Sequence, residues 1–140
     1  MGAAILDAVL KAYAVVHAPP ETAPLGRVFS FALHKNPGIA FDIPVPLSLI
    51  IPITAIIVSI FGWSFGRKAW QAGKSSEALA CLSIALGALG NMLDRLIHGF
   101  TTDYLIFFRL SAINISDVMI VMGMIMFLWY HGRNPSVRTQ

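Results

Sequence analysis

The sequence predicts an all-α integral membrane bundle of the four-span type, with a partial first span and a small extracytoplasmic β element. Two observations favour this class. The 140-residue chain is 56% hydrophobic and only 12% charged, whereas soluble domains carry about 25% charged residues. Apolar segments also recur at about the 20-residue length that a helix needs to cross a bilayer. Because the chain is short, residues 1–140 are expected to form a single membrane-embedded domain.

Residues 1–18 predict the outer end of a first span whose beginning lies outside this chain. The apolar stretch is interrupted by Asp7 and Lys11, which are spaced i,i+4 and can pair on one helix face. A secretory signal peptide is the alternative interpretation. Such a peptide starts with a basic region, and this stretch starts with Met-Gly-Ala-Ala.

Residues 19–42 predict an extracytoplasmic loop and a short strand at the membrane surface. Phe29, Phe31 and Leu33 alternate with smaller residues, as in a strand with one apolar face. The following Asn-Pro-Gly, residues 36–38, is typical of a turn.

Three later segments, residues 43–66, 78–97 and 113–130, are long and apolar enough to be transmembrane helices. Pro52 is expected to kink the first of them. Lys and Arg residues follow the first segment, in residues 67–74, and also the last one. Under the positive-inside rule these flanks are cytoplasmic, so the region between the last two spans faces the extracytoplasmic side.

The composition also argues against several other classes of protein. The sequence pI is about 9.4, but the basic residues are scattered or flank apolar runs, which does not indicate nucleic-acid binding. Cys81 is the single cysteine and is expected to be a small buried side chain. The four histidines lack the spacing of metal ligands, so neither a metal nor another cofactor is predicted. They are His17, His34, His98 and His131.

Three of the seven acidic residues, Asp94, Asp103 and Asp117, lie between or within the last two apolar segments. Ionisable groups inside spans are costly and usually functional. Two carboxylates brought together share a proton, so that one acts as a base and the other as an acid. Such a pair can activate water against an amide carbonyl. Asp103 as an ordinary acid in a connecting loop is the alternative.

Polar neighbours of these carboxylates recur at helical spacing. Asn91, Asp94 and Arg95 share one face of the second long span, and Asn114 shares a face with Asp117. Asp94 and Arg95 as a simple interfacial pair, and Asn114 as only a helix cap, remain open alternatives.

Five blocks of this sequence resemble the lipoprotein signal peptidases (signal peptidase II), which are four-span aspartic peptidases of the bacterial inner membrane. The blocks are LDAVLK (6–11), NPGIAF (36–41), GALGNMLDR (87–95), TTDY (101–104) and INISD (113–117). They are similar to the family's L-D-x-x-x-K, N-x-G-x-A-F, G-x-x-G-N-x-x-D-R, V-x-D-F and F-N-x-A-D. Two departures are Ile113 in place of an aromatic residue and Ser116 in place of the usual alanine.

The resemblance implies a catalytic dyad of Asp103 and Asp117. It also implies substrate-binding or site-shaping roles for six further residues, with Asp94 structural among them. These are Asn36, Gly38, Asn91, Asp94, Arg95 and Asn114. The implied substrate is a prolipoprotein carrying diacylglyceryl on the cysteine after the cut, contacted together with membrane lipid, at a site near the extracytoplasmic face.

Two other functions are compatible with the residues. A small proton-coupled transporter or channel subunit would use Asp94, Asp103 and Asp117 as a relay. A non-catalytic homologue would bind lipoproteins without cutting them.

Overall fold

The computed structural model describes residues 1–20, 28–39, 43–108 and 110–132. Their elements are α1 (Gly2–His17), β1 (Phe29–Asn36), α2 (Leu47–Val58), a π-helical segment (Ser59–Phe65), α3 (Gly66–Gln71), α4 (Ser75–His98), β2 (Thr101–Phe107), β3 (Ser111–Ile113) and α5 (Ile115–His131). A mostly helical chain with a small β element was predicted, and that description is confirmed. The parts of the predicted 19–42 loop at residues 21–27 and 40–42 lie outside the described residues.

Two of the described helices are long and apolar enough to cross a membrane. Residues 47–71 form a continuous helical stretch with a mean hydropathy of 2.1, and only 6% of its most apolar window is buried inside the protein. Such a stretch has few protein neighbours to cover its apolar side chains. The α4 helix has a mean hydropathy of 1.4, and half of its window is buried. The α5 helix is apolar but shorter, at 17 residues.

The 47–71 stretch continues beyond the segment predicted from the sequence. Helix continues to Gln71, so Arg67 and Lys68 lie on it and not in a flanking loop. Arg, Lys, Ala and Gln are strong helix formers, which explains the extension. Pro52 lies inside α2, and a π-helical segment follows α2 from Ser59 to Phe65.

Helices α4 and α5 pack closely because glycines face the partner backbone. A Cβ atom added to Gly87 would lie 2.5 Å from the carbonyl oxygen of Ser116, and one added to Gly123 would lie 2.9 Å from that of Ala80. Ser83 adds a hydrogen bond, since its hydroxyl donates to the Met119 carbonyl at 2.9 Å. Small residues permit this approach of two helices, and it fixes the start of α5 against α4.

The sheet is antiparallel, with strand order β1-β2-β3. The interpretation of Asp103 as an acid in a connecting loop was wrong, because Asp103 lies within β2. The run around it is rich in Thr, Tyr, Ile and Phe, which favour strands. In the β1–β2 register Asp103 is opposite His34, and Asn36 is opposite Thr101. The sheet therefore brings the turn after β1 close to Asp103.

Candidate active site

Asp103 is held on β2 by two side-chain amides. Its side chain is buried, with 2% of the residue exposed. The Nδ2 atom of Asn114 donates to Asp103 Oδ1 at 2.6 Å, and the Nδ2 atom of Asn36 donates to Oδ2 at 3.2 Å. Both carboxylate oxygens thus have a donor, and their orientation is fixed from two different elements.

Asp117 is held at the beginning of α5 by a capping box. The backbone N–H of Asp117 donates to Asn114 Oδ1 at 2.9 Å, and the backbone N–H of Asn114 donates to Asp117 Oδ2 at 3.1 Å. Asn91 on α4 donates from Nδ2 to Asp117 Oδ1 at 2.7 Å. The interpretation of Asn114 as a helix cap is therefore correct, and the positive end of the helix dipole lies at this carboxylate.

The same Asn114 side chain links the two aspartates, because its oxygen accepts the backbone N–H of Asp117 while its amide nitrogen donates to the Asp103 carboxylate. The pKa of Asp103 is raised to about 7, first by burial and then by the negative charge of Asp117. Hydrogen bonds from Asn36 and Asn114 and the charge of His34 oppose that rise. A carboxyl group that titrates near neutrality can act as an acid in one step and as a base in the next.

The turn after β1 is fastened to α4. The backbone N–H of Gly38 donates to Asn36 Oδ1 at 2.9 Å. Arg95 donates from Nη2 to the Gly38 carbonyl at 2.8 Å and from Nη1 to the Asn91 carbonyl at 3.3 Å. This guanidinium group is buried beside Asp103 and Asp117, whose charges act on it. Arg95 is thus a fixed cation near both carboxylates.

Asp94 holds β2 to the end of α4. Its Oδ2 atom accepts the backbone N–H of Thr102 at 2.5 Å, and its Oδ1 atom lies 2.7 Å from His98 Nδ1. Because Thr102 precedes Asp103, this contact fixes the position of the buried carboxylate. The structure thus brings together all the residues selected from the sequence. Asp94 belongs to this group through Thr102, the neighbour of Asp103.

A buried hydrogen-bond network connects α1 to the site. Asp7, with 1% of the residue exposed, accepts hydrogen bonds from the Tyr104 hydroxyl at 2.8 Å, the Ile115 N–H at 3.0 Å and the Ser116 hydroxyl at 2.6 Å. Lys11 Nζ lies 3.2 Å from Asp7 Oδ2 and donates to Asn91 Oδ1 at 2.7 Å. Asn91 in turn donates to Asp117, so α1 is connected to the candidate dyad through Lys11.

Sequence reasoning did not select Asp7, Lys11, Tyr104, Ser116 or His34 as site residues, although it predicted that Asp7 and Lys11 pair. Burial and the neighbouring Asp7 raise the pKa of Tyr104, which keeps its hydroxyl a donor. Tyr104 and Ser116 are each adjacent to a predicted catalytic aspartate, and that adjacency was the signal available. The sequence signal for His34 was weaker: it lies two residues before Asn36, and such residues share one face of a strand.

The sequence model of the family described as Signal peptidase (SPase) II matches residues 1–132. The chain belongs to the signal peptidase II family. The chain is 31% identical over 115 residues to the lipoprotein signal peptidase of Moorella thermoacetica, an alignment covering 79% of this chain and 74% of that protein. The corresponding enzyme of Halothermothrix orenii is 33% identical over 106 residues, with 73% and 71% covered. That of Shewanella baltica (strain OS195) is 34% identical over 110 residues, with 72% and 63% covered.

Two solved structures have the same fold. Both are described as a bacterial membrane enzyme determined by the in meso method. The one at 2.3 Å resolution has a TM-score of 0.71 at 19% identity and covers 100% of this chain and 93% of its own. The one at 1.9 Å resolution has a TM-score of 0.72 at 20% identity, with 94% and 88% covered. The resemblance found from sequence is therefore confirmed: the chain is a membrane-embedded peptidase of the lipoprotein signal peptidase type.

Proposed function

We propose that this signal peptidase II removes signal peptides from diacylglyceryl-modified prolipoproteins, with Asp103 and Asp117 as its catalytic dyad. The observation that supports the dyad most directly is that one residue, Asn114, is a hydrogen-bond partner of both aspartates. Asn114 contacts both carboxylates: its Nδ2 atom donates to Asp103 Oδ1, and its backbone N–H donates to Asp117 Oδ2. The two side chains approach from different elements and are fixed relative to each other by one residue.

The dyad accounts for hydrolysis of a peptide bond without further groups. The ionised carboxylate takes a proton from water, and the resulting hydroxide attacks the carbonyl carbon before the modified cysteine. The protonated carboxyl donates a hydrogen bond to the carbonyl oxygen. As the C–N bond breaks, a proton passes from the dyad to the leaving amine. Asp103, with a pKa of about 7, can hold the proton in one step and release it in the next.

The remaining site residues position the dyad and the substrate. Asn91 and Asn114 orient the carboxylates through the contacts already described, and Asp94 holds β2 through Thr102. Arg95 holds the turn that contains Asn36 and Gly38. This turn lies beside Asp103, because Asn36 donates to that carboxylate, and a substrate chain held against the turn would have its scissile bond aligned with the dyad.

The proposed orientation in the membrane rests on which end of the helices carries the basic residues. α1, the 47–71 stretch, α4 and α5 are assigned as four spans of the bacterial inner membrane. The basic residues near Lys68 and Lys74 lie at the opposite end of the bundle from the dyad, so the site faces the extracytoplasmic side. The diacylglyceryl chains would then lie in the bilayer and hold the cleavage site at its surface.

Cleavage of a diacylglyceryl-modified prolipoprotein in proteoliposomes tests the proposal. The native chain should cleave it, and Asp103→Asn and Asp117→Asn should each lose at least about a thousandfold in rate, as triad residues of other proteases do. Glu77→Gln is the matched control, because Glu77 is a buried carboxylate at the other end of α4. Retained cleavage in either dyad variant would overturn the assignment. Absence of cleavage by the folded native chain would overturn the function.

A further inference from the structure

His34 lies directly across the sheet from Asp103. The two residues are Cα partners in the β1–β2 register, and paired side chains in an antiparallel sheet share a face with Cβ atoms about 4.5–5.5 Å apart. Asn36 supports this geometry independently. It lies two residues after His34, on the same face of the strand, and its amide reaches Asp103.

We propose that His34 is a positioning residue for the dyad: its protonated imidazole faces Asp103, favours the ionised carboxylate and so sets the pH at which the dyad becomes competent. This inference rests on the proposed function, because it concerns the ionisation that the reaction requires.

The charges around Asp103 distinguish His34 from the other groups. Asp117 on α5 disfavours ionisation of Asp103, and His34 on β1 favours it. Arg95 on α4 is also near Asp103, but a guanidinium group keeps its charge at every relevant pH. From α1, Lys11 acts on the pair through Asn91. Histidine is the member of this set that ordinarily changes charge between about pH 5 and 8.

The neighbouring lysine provides a matched control. Lys35 is next to His34 on β1, but alternation directs it to the opposite face. There its ammonium group lies 5.1 Å from the centre of the Phe100 ring. Removing this cation changes the local net charge by the same amount as removing a protonated His34, without changing the face that Asp103 occupies.

The experiment measures kcat/KM against pH in proteoliposomes for the native chain, His34→Gln, His34→Lys and Lys35→Gln. The acid limb of this profile reports the ionisation of the free enzyme's catalytic groups. His34→Gln removes the cation and should move the limb to higher pH by about 0.5–1 unit, on the scale of ordinary protein shifts. His34→Lys makes the cation permanent and should move the limb to lower pH. Lys35→Gln should leave it in place.

A purely structural role for His34 would lower the plateau rate in both variants without opposite shifts of the limb, and that result would overturn the inference. If His34→Gln does not fold, the downward shift in His34→Lys still decides the matter, because no shift there contradicts the proposal. Failure of the native chain to cleave would instead refute the proposed function. A native chain that cleaves, with superimposable profiles for all variants, refutes only the role of His34.

Discussion

Replacing Asp7 by asparagine tests whether a buried charge on α1 holds the active site together. The two oxygens of Asp7 have different partners. Oδ1 accepts from the Tyr104 hydroxyl and the Ile115 N–H. Oδ2 accepts from the Ser116 hydroxyl and lies 3.2 Å from Lys11 Nζ. The amide oxygen of asparagine can replace Oδ1, and its NH₂ group then takes the place of Oδ2.

The expected cost is concentrated at Lys11. The Ser116 hydroxyl can rotate and accept from the new NH₂ group, whereas an ammonium group has only donors. Removing one partner of a buried ion pair costs about 3–5 kcal/mol. Lys11 keeps its hydrogen bond to Asn91 and lies 3.7 Å from Asp94, which places the cost near 3 kcal/mol, the lower end of that range. For a chain of this size that corresponds to a fall in Tm of about 6–12 °C.

Thermal unfolding in detergent micelles at constant lipid content measures this effect. The control is the double variant Asp7→Asn with Lys11→Met, which also removes the ammonium group that has lost its nearer carboxylate, at similar volume. Its Tm should lie above that of Asp7→Asn alone, because the two changes are coupled. The reasoning fails if Asp7→Asn has the native Tm, or if the double variant is the less stable of the two.

Three further outcomes follow from the same contacts. Gly87→Ala should destabilise the protein by about 1–3 kcal/mol and slow cleavage, because the added Cβ atom would displace the Ser116 carbonyl beside Asp117. Gly62→Ala is the control in the same Tm and rate measurements, since its added Cβ atom meets only a side chain, at 3.3 Å. The folded-state pKa of Asp103, raised to about 7 from 3.8, means that the native state binds more protons than the unfolded state between these values. Stability should therefore fall as pH rises from about 4 to 7, and Tm measured across this interval should vary less in Asp103→Asn than in the native chain. Asn114→Ala removes the side-chain contacts to the Asp103 carboxylate and to the Asp117 backbone N–H. It should lower kcat by at least about tenfold, a loss of more than about 1.4 kcal/mol, in the proteoliposome assay.

Local features of this protein could be predicted from its residues, whereas long-range contacts were either implied only by the family resemblance, as between Asn36 and Asp103, or missed. The capping role of Asn114 follows from its place three residues before Asp117 at the start of an apolar run. The strand that carries Asp103 was missed, because a short run of Thr, Tyr and Ile between two apolar helices gives little periodicity to detect. The contact between Asp7 and Ser116 joins residues 109 positions apart, and spacing along a chain carries no information about such a pair.

The two carboxylates of the proposed dyad lie where the fold supplies several donors for them. Asp117 lies where α5 begins, and the first turn of a helix has backbone N–H groups without partners inside the helix. Asp103 lies on the strand that leads back to that point, within reach of amides from β1 and from the cap. A single residue, Asn114, belongs both to the helix cap and to the environment of Asp103. The relative position of the two carboxylates is therefore set by hydrogen bonding at a helix end, which ties the geometry of the proposed dyad to the docking of α5 on α4.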